Sequence, residues 1–154
     1  MTITATLCYI IRNGKVLLLE RAKGIGIGKL SAPGGRLKNN ETIQDCAMRE
    51  VFEETGLKVS ELKYHGVLNF FFGQRSKPDW IVHVFSTSSF DGEIKESDAG
   101  VLKWFDIEKI PFERMWEDDK HWVPLLLKRK KFKCWFYFDK DIKRLFDYKV
   151  EIIS

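Results

Sequence analysis

The chain has 154 residues, enough for one domain with a sizeable core. Its formal charge of +4, from 26 basic and 22 acidic residues, is only a weak pull toward anionic partners, so no stable nucleic-acid partner is expected. Three cysteines, odd in number and not at metal-ligand spacing, read as reduced thiols; with no basic-then-apolar leader and no apolar run near ~20 residues, neither a signal peptide nor a membrane span is expected, and the location is expected to be cytoplasmic.

Thr4 to Ile11 is β-rich, and Asn13-Gly14 marks a hairpin turn into a partner strand at Val16 to Glu20. Gly24-Ile25-Gly26-Ile27-Gly28 is a flexible loop without the G-x-G-x-x-G spacing of a dinucleotide site. Pro33-Gly34-Gly35 turns the chain. Thr42 to Thr55 is helical and stops at Gly56, a fitting C-terminal residue. Leu62 to Phe72, Trp80 to Ser86 and Val101 to Phe105 read as strands. Lys120 to Lys131 reads as a second helix, with Pro124 tolerable near its first turn and the basic run Lys128 to Lys133 at its negative end. Trp135 to Phe138 and Leu145 to Ile152 add late strands. No repeat or linker interrupts this order, so residues 1–154 read as one α/β domain with a mixed sheet and two main helices. Aromatic residues make up 14%, twelve of them Phe and five Trp, a surplus suited to lining a pocket for a flat ligand as well as a core.

The first helix places its charges against the usual rule. At 100° per residue from Ile43, the residues Cys46, Ala47 and Val51 form an apolar arc, and Glu50 and Glu54 fall inside it with Glu53 at its margin. A surface helix puts carboxylates on the opposite face, and carboxylates at i, i+3 and i+4 repel. A solvated acidic stripe fits that placement poorly. A divalent cation resolves it: Mg2+ takes hard oxygen ligands, bridges a diphosphate and offsets charge on a leaving group.

Residues 35 to 57 match G-x5-E-x7-R-E-U-x-E-E-x-G-U, with U bulky and apolar, at Gly35, Glu41, Arg49, Glu50, Val51, Glu53, Glu54, Gly56 and Leu57. Seven fixed residue types meet by chance in roughly one such chain in a million. The stretch resembles the Nudix box. The resemblance implies an α/β/α sandwich and a metal-dependent hydrolase of nucleoside-diphosphate-linked compounds, using Mg2+ or Mn2+. It implies Glu50, Glu53 and Glu54 as metal ligands with the backbone carbonyl of Gly34; one of the three also serves as base, and Glu53 is the candidate taken. Arg49 is expected to orient a glutamate through charge-assisted hydrogen bonds, and Glu41 to tie the loop to the helix start. Gly34 and Gly35 permit close backbone approach to metal or phosphate.

Outside the box, Ile110 to Asp119, followed by Trp122 and Pro124 to Leu127, resembles the MutT-related oxidised purine nucleoside triphosphate hydrolases of the animal type; Val82 to Phe85 and Glu96-Ser97-Asp98 do so too. The implied activity is hydrolysis of 8-oxo-dGTP or related nucleotides to monophosphate and pyrophosphate, cleansing the nucleotide pool. Trp116 offers a face for stacking on a purine, and Asp118 and Asp119, if they share a proton, offer donor and acceptor to its edge. A helix cap is the structural alternative for one of these aspartates. Phe70 and Phe72 share a strand face and match pocket phenylalanines of the subfamily; core packing is the alternative. Thr6 matches a pocket threonine. His83 reads as structural.

The chain departs from the subfamily at four places. Ser31 replaces a pocket Asn, Arg21 a pocket Lys, Ile25 an aromatic, and Ala99 an extra metal-binding glutamate; either Asp98 or Glu96 substitutes for it, or the site uses fewer metals. Ser31 and Ala99 support a second reading, a hydrolase of broad (d)NTP, dinucleoside polyphosphate or nucleotide-sugar range. A catalytically silent nucleotide sensor is the reading of another class, disfavoured because every box glutamate is present. The expected partner is a small nucleotide, and the expected state monomer or dimer.

Overall fold

The computed structural model describes residues 1–153. Among the described residues, nine strands form one mixed sheet in the order β3-β2-β1-β6-β5-β8-β9, with β4 paired to β1 and β7 to β2. In chain order these are β1 (Ile3–Arg12), β2 (Lys15–Arg21), β3 (Leu30–Ser31), β4 (Gly34–Arg36), β5 (Lys58–Phe72), β6 (Trp80–Asp91), β7 (Gly100–Asp106), β8 (Phe132–Phe138) and β9 (Leu145–Ile152). The helices are α1 (Ile43–Thr55) and α2 (Asp119–Leu127). The pairs β1–β6 and β5–β8 are parallel; the others are antiparallel.

The strand period of two divides β1 between two cores. Cys8 and Ile10 join Leu17, Phe85 and the α1 residues Ala47 and Val51 in one. Ala5 and Tyr9 join Leu18, Val84, Phe136 and the α2 residues Trp122, Val123 and Leu126 in the other. This is helix, sheet, helix, and each helix is held by the apolar face its sequence supplies.

Local chemistry sets the ends of α1. Thr42 Oγ1 accepts from Asp45 N–H at 3.0 Å, and Gly56, at φ 82°, donates to Phe52 O at 2.9 Å. Asn13 and Gly14 take φ 53° and 73°, as the tight β1–β2 hairpin demands.

Several boundaries differ from those expected. β5 begins at Lys58 rather than Leu62, and β6 runs to Asp91 rather than Ser86; register shifts between Val59 and Glu61, Glu61 and Lys63, and Tyr64 and Gly66 break the alternation there. β8 begins at Phe132, where it pairs with Ile152. α2 stops at Leu127, and the basic run follows it in a turn where Arg129 takes φ 61°. Pro124 lies in the second turn of this short helix, three residues before its end. All three cysteines are free and buried. Among the described residues no helix is long and apolar enough to cross a membrane.

Candidate active site

A cavity of about 390 Å³ opens between the sheet, the β2–β3 loop and the start of α2. The residues singled out for a base pocket meet there: Arg21 and Ser31 from β2 and β3, Phe70 and Phe72 from β5, and Trp116, Asp118 and Asp119 ahead of and at α2. Thr6, Gly34 and Gly35 border it as well. A second, more polar cleft of about 520 Å³ between Met1–Thr2 and Gln74–Asp79 holds none of these residues.

The pocket walls are built by strand alternation. Phe70 and Phe72 face the cavity and pack on Phe138, while Phe71 lies on the opposite face, stacked on Tyr137 at 4.7 Å. Trp116 meets Phe138 edge-on at 6.2 Å, and Lys29 Nζ stands 5.2 Å from the centre of its ring. The Gly-rich loop closes on the same indole: a Cβ on Gly26 would stand 3.0 Å from Cζ2 and Nε1 of Trp116. Thr6 is buried and its hydroxyl lies 3.4 Å from Cys46 Sγ, toward α1.

Both aspartates are buried, and neither caps the helix. Asp118 occupies the N-cap position with helical dihedrals and makes no capping bond; its Oδ2 accepts from Trp122 Nε1–H at 2.9 Å. Asp119 Oδ2 accepts from the Trp116 N–H at 3.0 Å and so fixes the turn that presents the indole. Burial pushes the Asp118 carboxyl up to about 6. Burial first, then the charge of Asp118, pushes Asp119 well above the carboxylate range. The pair therefore holds a proton under conditions in which ordinary carboxylates have lost theirs. Burial, followed by the charges of Asp119 and Asp118, also raises the neighbouring Tyr9 hydroxyl.

Next to the cavity, Arg49 gathers the carboxylates of the box. Its Nε donates to Glu41 Oε2 at 2.6 Å, Nη1 to Glu50 Oε1 at 2.7 Å and Glu53 Oε1 at 2.6 Å, and Nη2 to the Arg36 carbonyl at 3.0 Å. Glu41 also accepts from the Lys38 N–H, which ties the loop to the helix as expected of it in outline, although the N-cap itself is Thr42. The Arg49 hydrogen bond holds the Glu41 carboxyl well below the usual range, and the same carboxylate raises Arg49. Glu54 is served from the other side: Oε2 accepts from Arg21 Nη1 at 2.9 Å and Oε1 from the Gly34 N–H at 3.0 Å.

The exposure of the three box glutamates follows their helical angle. Glu54 and Glu50 side chains are 10% and 16% exposed, and Glu53 at the margin is 49% exposed. Burial, then the charge of Glu54 and Glu53, raises Glu50 above its ordinary value despite the Arg49 bond. A Cβ on Gly35 would come within 2.6 Å of both Glu50 carboxylate oxygens, so a larger residue here displaces that carboxylate.

The carboxylates bind their arginines instead of converging, and among the described residues no group of three acidic, His or Cys side chains is already arranged around one point. The donor set nonetheless suits a hard divalent cation: Glu41, Glu50, Glu53 and Glu54 outnumber Arg49 and Arg21 by two charges, and every side-chain donor is a carboxylate oxygen. Asp98 is 85% exposed and paired with Lys23, and Glu96 Oε2 accepts from the Leu102 N–H. Both expected stand-ins for Ala99 are thus engaged elsewhere.

The sequence reading did not single out Tyr9, Trp80, Phe138 or Ile142, which also line the cavity. Phe138 had a signal, its alternation with Phe136; Ile142 had none, since it arrives from the β8–β9 turn at φ 57°.

The NUDIX domain model matches residues 1–126. The chain is 42% identical over 134 residues to an oxidized purine nucleoside triphosphate hydrolase of Danio rerio, covering 86% of this chain and 85% of that protein. It is 40% identical over 138 residues to the protein of that name in Mus musculus, covering 88% and 87%. Among solved structures, a MutT protein of Bacillus halodurans superposes with a TM-score of 0.86 at 26% identity over 96% of this chain and 97% of that one. Box, fold and relatives agree, and the chain belongs to the Nudix hydrolase family.

Proposed function

We propose that this protein is a Mg2+-dependent pyrophosphohydrolase that converts 8-oxo-dGTP, or a related oxidised purine nucleoside triphosphate, to the monophosphate and pyrophosphate. The observation that carries the reading is the buried Asp118–Asp119 pair beside Trp116, in a cavity bordered by the residues that lead to the box glutamates. The names of the zebrafish and mouse relatives point the same way. We take residues 1–154 as one Nudix domain, because β8 and β9, beyond the matched span, continue the same sheet.

In this reading Trp116 stacks on the purine and Phe70 and Phe72 fill the pocket around it. The aspartate pair, sharing a proton, presents a donor and an acceptor to the base edge, which suits oxidised guanine and oxidised adenine. Glu50, Glu53 and Glu54, with the Gly34 carbonyl, would hold the cation, which would supply neutralisation of phosphate charge and a lowered pKa for water. Arg49 holds Glu50, Glu53 and Glu41 in register. Glu53, the box glutamate most open to water, takes the proton of the attacking water. Gly34 and Gly35 let phosphate oxygens approach the backbone. Mn2+ suits the same oxygen donors.

The reading is tested by assaying 8-oxo-dGTP hydrolysis with and without EDTA, in wild type, Glu54→Gln and Asp119→Ala. EDTA abolishes turnover and added Mg2+ restores it; Glu54→Gln binds nucleotide but turns over far more slowly. Asp119→Ala loses preference for the oxidised base more than it loses hydrolysis of a triphosphate. An EDTA-insensitive enzyme overturns the mechanism, and equal loss on both bases removes Asp119 as the base reader.

A further inference from the structure

Two of the residues at which this chain leaves its subfamily, Arg21 and Ser31, are in contact. Arg21, the last residue of β2, sends its guanidinium across the gap between the pocket and the box. Nε donates to Ser31 Oγ at 2.9 Å, Nη2 to the Ala32 carbonyl at 3.2 Å, and Nη1 to Glu54 Oε2 at 2.9 Å. Arg21 and Glu54 side chains are only 18% and 10% exposed, so this pairing is shielded from water and salt far better than a surface ion pair. The other Glu54 oxygen accepts from the Gly34 N–H, so each carboxylate oxygen has one protein partner.

Three partners on one guanidinium are an arginine pattern. Its planar fork reaches Ser31 and Glu54 together, whereas a lysine offers a single ammonium and cannot span both with the same geometry. Each nitrogen of Arg21 is engaged with the protein, so the side chain is committed as a strut. Ser31 and Arg21 border the cavity, and Glu54 stands behind them in α1.

We propose that Arg21 is a positioning residue, and that Ser31, Arg21 and Glu54 form one relay through which filling of the base pocket sets the carboxylate of the metal site. This rests on reading the cavity as the base pocket and Glu54 as a cation ligand. A base lodged against Ser31 immobilises the hydroxyl and the guanidinium behind it. The Glu54 carboxylate is then already ordered when the cation arrives, so the second ligand pays less to bind. Linkage makes the effect reciprocal: a bound cation tightens the pocket by the same factor. Ser31 in place of an amide therefore does more than remove a contact to the base, because its hydroxyl accepts the Arg21 Nε–H.

The test uses a nucleoside without phosphate, 8-oxo-deoxyguanosine, which cannot reach the metal through a phosphate oxygen. Mn2+ binding is titrated by electron paramagnetic resonance with and without saturating nucleoside, in wild type, Arg21→Lys, Ser31→Ala and Glu54→Gln. In wild type the nucleoside tightens Mn2+ about fivefold or more, the lower end of ordinary coupling between sites. In Arg21→Lys and Ser31→Ala the tightening disappears while both ligands still bind and melting shows a folded protein. A loss of stability alone leaves the ratio of the two Mn2+ affinities unchanged, so the ratio separates positioning from a merely structural role. The same tightening in Arg21→Lys as in wild type, or none in wild type, overturns the relay. If Glu54→Gln binds Mn2+ as wild type does, the metal-site reading falls and the relay with it. If the nucleoside fails to bind wild type, the base-pocket reading falls, and again the relay with it.

Discussion

Replacing Asp118 by Asn removes an ionisable group from the pocket floor and keeps its shape. The amide oxygen still accepts the Trp122 Nε1–H that Asp118 Oδ2 accepts at 2.9 Å. Burial moves the carboxyl from the ordinary 3.8 to about 6 in the native protein, while the unfolded chain keeps the ordinary value. The native state thus holds a proton that the unfolded state has released, and stability falls as pH rises. The contribution is fully present below 3.8 and is lost as pH rises through about 6. At about 1.4 kcal/mol per pH unit the whole loss is on the order of 3 kcal/mol, of which about 2 kcal/mol falls between pH 4.5 and 8. Asp119, raised partly by the charge of Asp118, adds in the same direction. Urea denaturation of wild type and Asp118→Asn at pH 4.5, 6 and 8 measures the effect. Every carboxylate outside the pair titrates alike in both proteins and cancels in the difference. The mutant gains on wild type by about 2 kcal/mol from Asp118 alone across that range, and by more where Asp119 also loses the raising charge of Asp118. A difference that stays constant with pH refutes the buried, proton-holding pair and, with it, the donor-and-acceptor reading of the pocket.

Two glycines give independent checks on the site. Gly35→Ala drives a methyl against both Glu50 carboxylate oxygens, so kcat falls roughly 100-fold, as for a catalytic group displaced by an ångström, with little change in far-ultraviolet circular dichroism. Activity within threefold of wild type removes Glu50 from the working site. Gly26→Ala pays for a left-handed φ of 84° and presses on the Trp116 ring at 3.0 Å. It costs about 1–2 kcal/mol in stability and, measured by fluorescence titration, weakens nucleotide binding through Trp116. Unchanged affinity takes the Gly-rich loop out of the pocket wall.

The parts of the molecule written in local chemistry were legible in the sequence. Asn13-Gly14 named its hairpin, Thr42 and Gly56 bracketed α1 within a residue, and the angles of Glu50, Glu53 and Glu54 on that helix foretold their burial order. Elements defined by distant pairing were not. The short strands Leu30–Ser31 and Gly34–Arg36 contain too few residues for a period and exist only because β2 and β1 lie alongside. The bulges of β5 broke the alternation that would have revealed its first residues. At the site, the resemblance brought the pocket residues together, but not their partners. A cap was the structural alternative for one of Asp118 and Asp119, yet they accept from Trp122 and Trp116 instead, because a buried carboxylate takes the nearest buried donor. Arg21 read as a pocket charge; its bonds to Ser31 and Glu54, 10 and 33 residues away, depend on the folded sheet.

The central claim is that the pocket selects an oxidised purine and the box cleaves its triphosphate. It is tested most directly by a competition among 8-oxo-dGTP, 2-oxo-dATP, dGTP and a dinucleoside polyphosphate in Mg2+, read as ratios of kcat/KM. The account predicts that both oxidised nucleotides outcompete dGTP and the dinucleotide by at least about tenfold, the yield of one well-made polar contact of ~1.4 kcal/mol. Equal ratios, or preference for the dinucleoside polyphosphate, contradict it and leave a Nudix hydrolase of broad range.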